Sequence, residues 1–348
     1  MTEKIFLGLL VFVPIAIVAE LLSAPAAITF FCAAIAIVPL AKYIGAATEE
    51  LSLRTSAAVG GFLNATFGNA PELIIGIFAL RAGLLEVVKA SITGSIVGNL
   101  LFVVGLSMLA GGWKREKQTF NRTAVVAGGS ALFIAVIALV VPAIFMQTSA
   151  MTPGTSVQSL SVFVAIALLA MYGASLYFSL HTHKHLYIEE VAKLEGRWSV
   201  KRSAAVLLLA TLAVAVVSEI LVGAIEPLVT SLGWSQLFIG VIVIAIIGNA
   251  AEHFSAVTIA MKDRMDLSLQ IAIGSATQIA MFVAPTLVLL SFFAQPMNLI
   301  FNTFELVSIV LSVIIVNLVV ADGESNWLEG AQLLGAYAII AVAFFFHP

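Results

Sequence analysis

Gly68-Asn69-Ala70-Pro71-Glu72 recurs as Gly248-Asn249-Ala250-Ala251-Glu252, at an offset of 180 (68 to 248). The same offset carries Gly60 onto Gly240, Ala65 onto Ala245, Gly94-Ser95 onto Gly274-Ser275 and Phe102-Val103 onto Phe282-Val283. One five-residue match in an apolar chain is a weak signal. A single register held without a gap from residue 60 to residue 103 is an internal repeat.

The repeat sits in an unusually apolar chain. Of its 348 residues, 61% are hydrophobic and 10% charged, with a net charge of −3 and a mean hydropathy of +1.12. A soluble domain carries roughly 25% charged residues, so these charges cannot cover a globule of this size. The chain reads as a polytopic membrane protein embedded in the lipid bilayer. That excludes a soluble enzyme and a secreted domain, and the net charge gives no basic footprint for nucleic acid. One cysteine, Cys32, lies in an apolar run, so no disulfide or cysteine-metal framework can form within the chain.

A spanning helix needs about 20 mostly apolar residues. Eleven such runs are expected, near 5–22, 25–44, 57–80, 86–110, 122–145, 157–180, 203–225, 236–261, 267–293, 300–320 and 328–346. The runs are continuous rather than alternating, which argues against a β-barrel. The fold class is all-α integral membrane. Lys4 and the small residues near Ser23 to Ala27 resemble parts of a signal peptide. The length of the apolar run and Glu20 argue against cleavage.

Lys and Arg separate by side of the membrane. Lys4, Lys42, Arg54, Lys114, Arg115, Lys117, Arg122, Lys184, Lys193, Arg197, Lys201, Arg202, Lys262 and Arg264 fall on the N-terminal side, and Arg81 and Lys89 on the other. The expected location is the plasma membrane, with the N-terminus cytoplasmic and the C-terminus extracellular. Asp322, Glu324 and Glu329 cluster before the last run, in a turn read as facing outward. That turn has no Lys or Arg and breaks the positive pattern.

Five spans separate the two copies of the motif, and an odd number implies inverted topology. The expected organisation is a first extra helix (1–24), a five-helix repeat (25–180), a cytoplasmic linker (181–202) and a second five-helix repeat (203–348). Inverted repeats with polar, helix-breaking residues in matching positions point to a secondary transporter with its site near the bilayer midplane. In the linker, His181, His183 and His185 alternate, and Tyr187 to Leu194 reads as a short surface helix. A metal site there is conceivable; a solvated linker is the plainer reading.

Glu72 and Glu252 carry the chemistry. A carboxylate inside a span costs on the order of 3 kcal/mol on insertion scales, so it is paired, hydrated or functional. The plain alternative, a protonated Glu in a helix-helix hydrogen bond, explains one such residue better than two at equivalent positions. Asn69 stands three residues from Glu72, and Asn249 three from Glu252, which places each pair on one helix face. Gly68, Gly248 and Pro71 are poor residues for a helix interior, and a break there would loosen carbonyl oxygens. The next spans add Ser95 with Asn99, and Ser275 with Gln278; interhelical packing bonds are their plain alternative. His253 follows Glu252 and titrates near neutrality when unperturbed, which suits proton tuning as well as a core role.

This ligand set is all oxygen. Calcium takes six to eight oxygens at flexible geometry, and no Cys or His cluster favours a soft metal. Manganese and sodium stay open. Two ionised carboxylates with nothing bound are the costliest state, and one divalent cation or two protons neutralise them. A carrier that crosses only when neutralised exchanges one for the other. A nucleophile-base pair and an HExxH zinc site are both missing, so no enzyme is expected, and no cofactor beyond the transported Ca2+ and H+.

The segments GNAPELIIGIFAL and GNAAEHFSAVTIAM resemble the signature regions of the calcium/cation antiporter superfamily, most closely its calcium/proton exchanger branch. The resemblance covers the second to eleventh runs. It implies two inverted five-helix repeats behind one extra helix, Glu72 and Glu252 as the cation and proton carboxylates, and Asn69, Asn249, Asn99, Gln278, Ser95 and Ser275 at the polar binding positions. The sodium/calcium branch typically has Thr-Ser-x-Pro-Glu there. Asn69-Ala70, Asn249-Ala250 and His253 depart from that pattern and argue against sodium coupling. The first run begins near Ile5, whereas eukaryotic members often carry a long cytosolic extension, so the resemblance implies a prokaryotic calcium exporter. Assembly into a homo-oligomer stays open.

Overall fold

The computed structural model describes residues 2–55, 57–148, 155–183 and 198–347. The described residues are almost entirely helical. We name its helices α1 (Glu3–Leu21, stepped at Leu10–Val11), α2 (Ala26–Ser52), α3 (Ala57–Phe67), α4 (Ala70–Arg81), α5 (Leu85–Gly112), α6 (Arg122–Thr148), α7 (Val157–Thr182), α8 (Val200–Leu232), α9 (Gln236–Gly248), α10 (Ala250–Ala260), α11 (Met265–Phe293), α12 (Thr303–Val319) and α13 (Trp327–Phe346). Among the described residues, eight helices are long and apolar enough to cross a bilayer, or nine if the bent pair α9 and α10 is one span. Helix α12 is apolar and shorter, at 17 residues.

Helix ends follow local chemistry. Asn302 with Glu305, and Asn326 with Glu329, close capping boxes at the starts of α12 and α13; each box satisfies two orphan backbone donors. Pro25 stands just before α2, where its missing N–H costs nothing. Helix α2 runs eight residues past the apolar run expected to end near 44, because Ala46-Ala47-Thr48-Glu49-Glu50-Leu51 continues to favour a helix. Lys42 therefore lies within a helix, with its ammonium 3.9 Å from the centre of the Phe6 ring, rather than in a loop.

Cα packing divides the chain into two units. The first comprises Met1–Leu84, Gly173–Gln236 and Ile247–Ala251. Within it α8 lies along α2, and α1, α3 and α4 also pack on α2. Glu50 accepts from the Trp198 amide at 3.1 Å, and Arg54 donates to the Trp198 carbonyl.

The second unit comprises Leu85–Tyr172, Leu237–Ile246 and Glu252–Pro348. Helices α5 and α9 cross at glycines. A Cβ on Gly94 would meet the Val241 carbonyl oxygen at 1.9 Å, and one on Gly240 would meet the Ala90 Cβ at 2.4 Å. Small residues allow this approach, as in other membrane helix pairs. Helix α13 packs on α5 in the same way, with Gly330 against Leu109.

Two short strands, β1 (Gln118–Thr119) and β2 (Glu324–Ser325), pair antiparallel in this unit. Lys117 Nζ donates to Glu324 Oε1 at 2.6 Å. The turn holding Asp322 and Glu324 therefore lies on the same side as Lys114, Arg115 and Lys117 and does not face outward; ten apolar runs precede it, an even number that already returns it to the N-terminal side. Its acids break no charge pattern; Glu324 is the partner of the basic loop. Arg115 stands 3.4 Å from Asp263, and the buried Gln118 amide donates to the Ala260 carbonyl at 3.1 Å and to Asp263 Oδ1 at 2.8 Å. Residues 184–197, which include His185 and the expected surface helix, lie outside the described residues.

Candidate ion-binding site

The two copies of the motif break their helices at the same place. Helix α3 ends at Phe67, Gly68 and Asn69 form a turn, and α4 starts at Ala70. Helix α9 ends at Gly248, Asn249 is the turn, and α10 starts at Ala250 with a bend of 59°. The first copy has Pro71 and the second has Ala251, so proline is not the cause. The shared Gly-Asn is: glycine lacks helix preference, and asparagine competes for backbone hydrogen bonds. Pro71 falls in the first turn of α4, where it is tolerated.

The breaks set the positions of both glutamates. Glu72 lies in the first turn of α4, and Glu252 in the first turn of α10. A helix N-terminus carries partial positive charge, which favours an ionised carboxylate nearby. The last carbonyls of the preceding half-helices lack helical partners and carry partial negative charge. Each break thus offers anionic side-chain oxygen and backbone oxygen within a few residues of sequence.

In the first unit, Asn69 and Asn249 are both buried. Gly248 lies beside Glu72: a Cβ there would stand 3.5 Å from Glu72 Cγ and Oε1. The motif of one copy therefore packs against the acid of the other. In the second unit, Asn99 Nδ2 donates to Ser275 Oγ at 2.9 Å, with both residues buried. Ser95 is buried on the same helix as Asn99, and Gln278 is partly buried one turn beyond Ser275. Glu252 is partly buried; His253 is buried, its ring 5.8 Å from that of Phe102.

Four π-helical segments lie among the described residues, and two of them adjoin the candidate site at positions that hydropathy does not mark. Gly98–Val103 interrupts α5 and Ile279–Val283 interrupts α11. At the offset of 180 they nearly coincide. A π turn inserts a residue, changes the face that later side chains present and occurs often at functional sites. Asn99 is inside the first and Gln278 immediately precedes the second. Open space adjoins both, since a Cβ on Gly98 or Gly274 would meet nothing within 4 Å. Gly94 differs from Gly274: the close approach of Val241 requires it.

The histidine alternative also involves His185, which lies outside the described residues. His181 stacks on Tyr177 and His183 on Phe178, and among the described residues no group of three or more His, Cys, Asp or Glu gathers to hold a metal. Glu20, Glu219 and Glu226 are exposed, whereas Glu305 is buried.

A chain of apolar helices, two of them broken at repeated polar motifs, is a membrane transporter rather than an enzyme. It belongs to the sodium/calcium exchanger protein family, whose pattern matches residues 25–181 and again 202–346. The chain is 48% identical to a Ca(2+)/H(+) antiporter of Synechocystis sp., with 99% of this chain and 98% of the relative covered. It is 46% identical to the Ca(2+)/H(+) antiporter ChaA of Bacillus subtilis, with 96% of each covered. The solved structure of native YfkE superposes with a TM-score of 0.87 at 43% identity, over 98% of this chain and 100% of that one.

Proposed function

We propose that this protein exports calcium from the cytoplasm in exchange for protons by alternating access, with Glu72 and Glu252 binding either the cation or protons. The observation that carries this reading is the matched break in the two motifs, which puts each glutamate at the start of a half-helix within an apolar span. Discontinuous helices of this kind supply ion sites in secondary transporters. The names of the relatives in Synechocystis sp. and Bacillus subtilis support calcium as cargo and protons as the counter-ion.

The architecture in this reading has eleven spans. Helices α3 with α4, and α9 with α10, each count as one broken span, and α12 counts as a short one. Spans two to six and seven to eleven are inverted repeats behind the extra first helix. The double match of the family pattern supports two copies. Contacts between connecting segments support the alternation of sides. Trp198 meets Glu50 and Arg54, Arg115 and Gln118 meet Asp263, and Lys117 meets Glu324, all on the expected cytoplasmic side. Lys89 meets Asn298, and Gln158 the Met297 carbonyl, on the opposite side.

The coupling follows from charge. An empty pair of ionised carboxylates in low dielectric is costly, so the carrier rests neutralised by one divalent cation or by protons. Asn69, Asn249, Asn99, Gln278, Ser95 and Ser275 complete the oxygen shell, and His253 tunes the proton step. Mutually exclusive occupancy makes the two flows obligatory partners, with at least two protons for each Ca2+.

Uptake of radioactive calcium into everted vesicles or proteoliposomes with an acidic lumen tests this reading. Sodium-free uptake that collapses with a protonophore supports it. Uptake that ignores the pH gradient and follows sodium would place the protein with the sodium-coupled exchangers. Equal uptake of manganese would broaden the cargo.

A further inference from the structure

Helix α5 carries a second polar column, one that the motif does not include. Glu86 opens it with a 65% exposed side chain, and Lys89, 11% exposed, stands 4.0 Å from Glu86 Oε1. Lys89 Nζ donates to Asn298 Oδ1 at 3.1 Å. One turn deeper, Thr93 Oγ1 donates to Glu305 Oε1 at 3.1 Å. Thr93 is fully buried and Glu305 is 1% exposed. The charged groups that face Glu305 are Glu86 and Lys89, both on α5.

Glu305 closes the capping box of α12, its Oε2 accepting from the Asn302 amide at 3.0 Å. A cap alone does not explain its burial. Glu329 closes the same kind of box at the start of α13 while only partly buried. An ionisable group sealed inside a membrane protein is by default a functional one. Here a column of titratable groups runs from solvent to that carboxylate, along the helix that also bears Ser95 and Asn99.

We propose that Glu305 is a proton-relay carboxylate, taking protons from the solution that Glu86 faces and releasing them inward along α5. Uptake breaks an O–H bond of hydronium and forms one on a Glu305 oxygen. Release breaks that bond, forms an O–H bond on intervening water that passes its own proton on to the Glu252 carboxylate, and regenerates the Glu305 carboxylate, with Lys89 as the standing counter-charge. The proposal rests on the calcium/proton exchange argued above.

The test compares two transport modes in proteoliposomes. Proton-driven uptake of radioactive calcium needs the relay; calcium/calcium exchange at equal pH moves no net protons. Glu305→Gln keeps the capping box, since glutamine closes it too, but cannot carry a proton. Its proton-driven uptake should fall about tenfold or more, a loss typical of removing an acid-base group, with calcium/calcium exchange close to wild type. Glu305→Asp should recover part of the lost rate. Equal losses in both modes would mean that Glu305 only holds the helices, and unchanged rates in both would take it off the proton route. If Glu305→Gln does not accumulate, Glu305→Asp decides alone: the pH profile of its uptake should shift, and a wild-type profile overturns the relay. Wild-type protein without proton-driven uptake would refute the exchange reading itself, whatever the variants do.

Discussion

Asn99 Nδ2 donates to Ser275 Oγ at 2.9 Å, and this bond joins α5 to α11. Both side chains are buried. Removing either side chain breaks this bond, and a buried hydrogen bond typically contributes about 0.5–1.5 kcal/mol. Asn99→Ala, Ser275→Ala and the double variant should therefore be non-additive. A double-mutant cycle on thermal unfolding in detergent should return a coupling of about 1 kcal/mol. Additive losses would mean that the bond contributes nothing.

Glu72→Gln and Glu252→Gln should each abolish calcium uptake, because one carboxylate cannot neutralise a divalent cation. Both proteins should still fold, since glutamine preserves volume and hydrogen bonding. Membrane abundance and uptake, measured side by side, check this. Full uptake in either variant would return that glutamate to a structural role.

The glycines divide into two groups. Gly94→Ala and Gly240→Ala put a methyl into backbone and Cβ contacts under 2.5 Å. They should lose at least about 1–3 kcal/mol, the usual cost of overpacking. Gly98→Ala and Gly274→Ala meet open space and should fold as well as wild type. Their effect should appear in transport instead, because the space lies beside Asn99 and Ser275. Melting temperatures and uptake for the four variants separate the groups.

Gln118 and Lys117 make neighbouring contacts of unequal weight. Gln118 is buried and holds the Ala260 carbonyl at the end of the helix that begins near Glu252. Gln118→Ala should cost about 1–3 kcal/mol. Lys117 is exposed, and its hydrogen bond to Glu324 holds its ammonium above the ordinary lysine value. Any contribution is therefore complete below that ordinary value and fades as pH rises through the elevated one. Lys117→Met should change stability little at neutral pH and less still in high salt, which screens exposed pairs. Unfolding curves at two salt concentrations and at pH 7 and about 11, just above an ordinary lysine value, measure both.

The β1–β2 pairing places two distant turns on one face. In a Cys32→Ala background, Glu116→Cys and Asp322→Cys should react with a membrane-impermeant maleimide from the cytoplasmic side. Gln295→Cys should react from the outside. Opposite labelling of residues 116 and 322 would break the pairing, and reversal of all three would invert the orientation.

Much of this was open to reading along the chain. The apolar runs set most helices to within a few residues, because hydropathy is a local property; α2 and α8 run on to Ser52 and Leu232, past the ends expected near 44 and 225. Glu72, Glu252, Asn69 and Asn249 stood out as candidates because carboxylates and amides are costly in such runs and because the repeat supplied an internal control. The outward reading of Asp322 and Glu324 is a miscount: ten runs precede their turn, and an even number returns the chain to the N-terminal side, where the β1–β2 pairing holds it. Glu305 could be seen but not weighed, since its position near a helix start does not reveal whether water reaches it.

The sequence by itself determined the membrane class, the order of the apolar helices, the repeat register and the residues worth testing. Each depends on composition within one segment or on comparison of two segments. Only the tertiary structure decided that Asn99 meets Ser275, that Gly248 lies against Glu72, that Gly94 is needed for packing while Gly274 borders open space, and that Glu305 is sealed against Thr93. Such contacts depend on how far each helix is rotated about its axis. A bend at Gly-Asn or one extra residue in a π turn changes that rotation, and hydropathy does not record it.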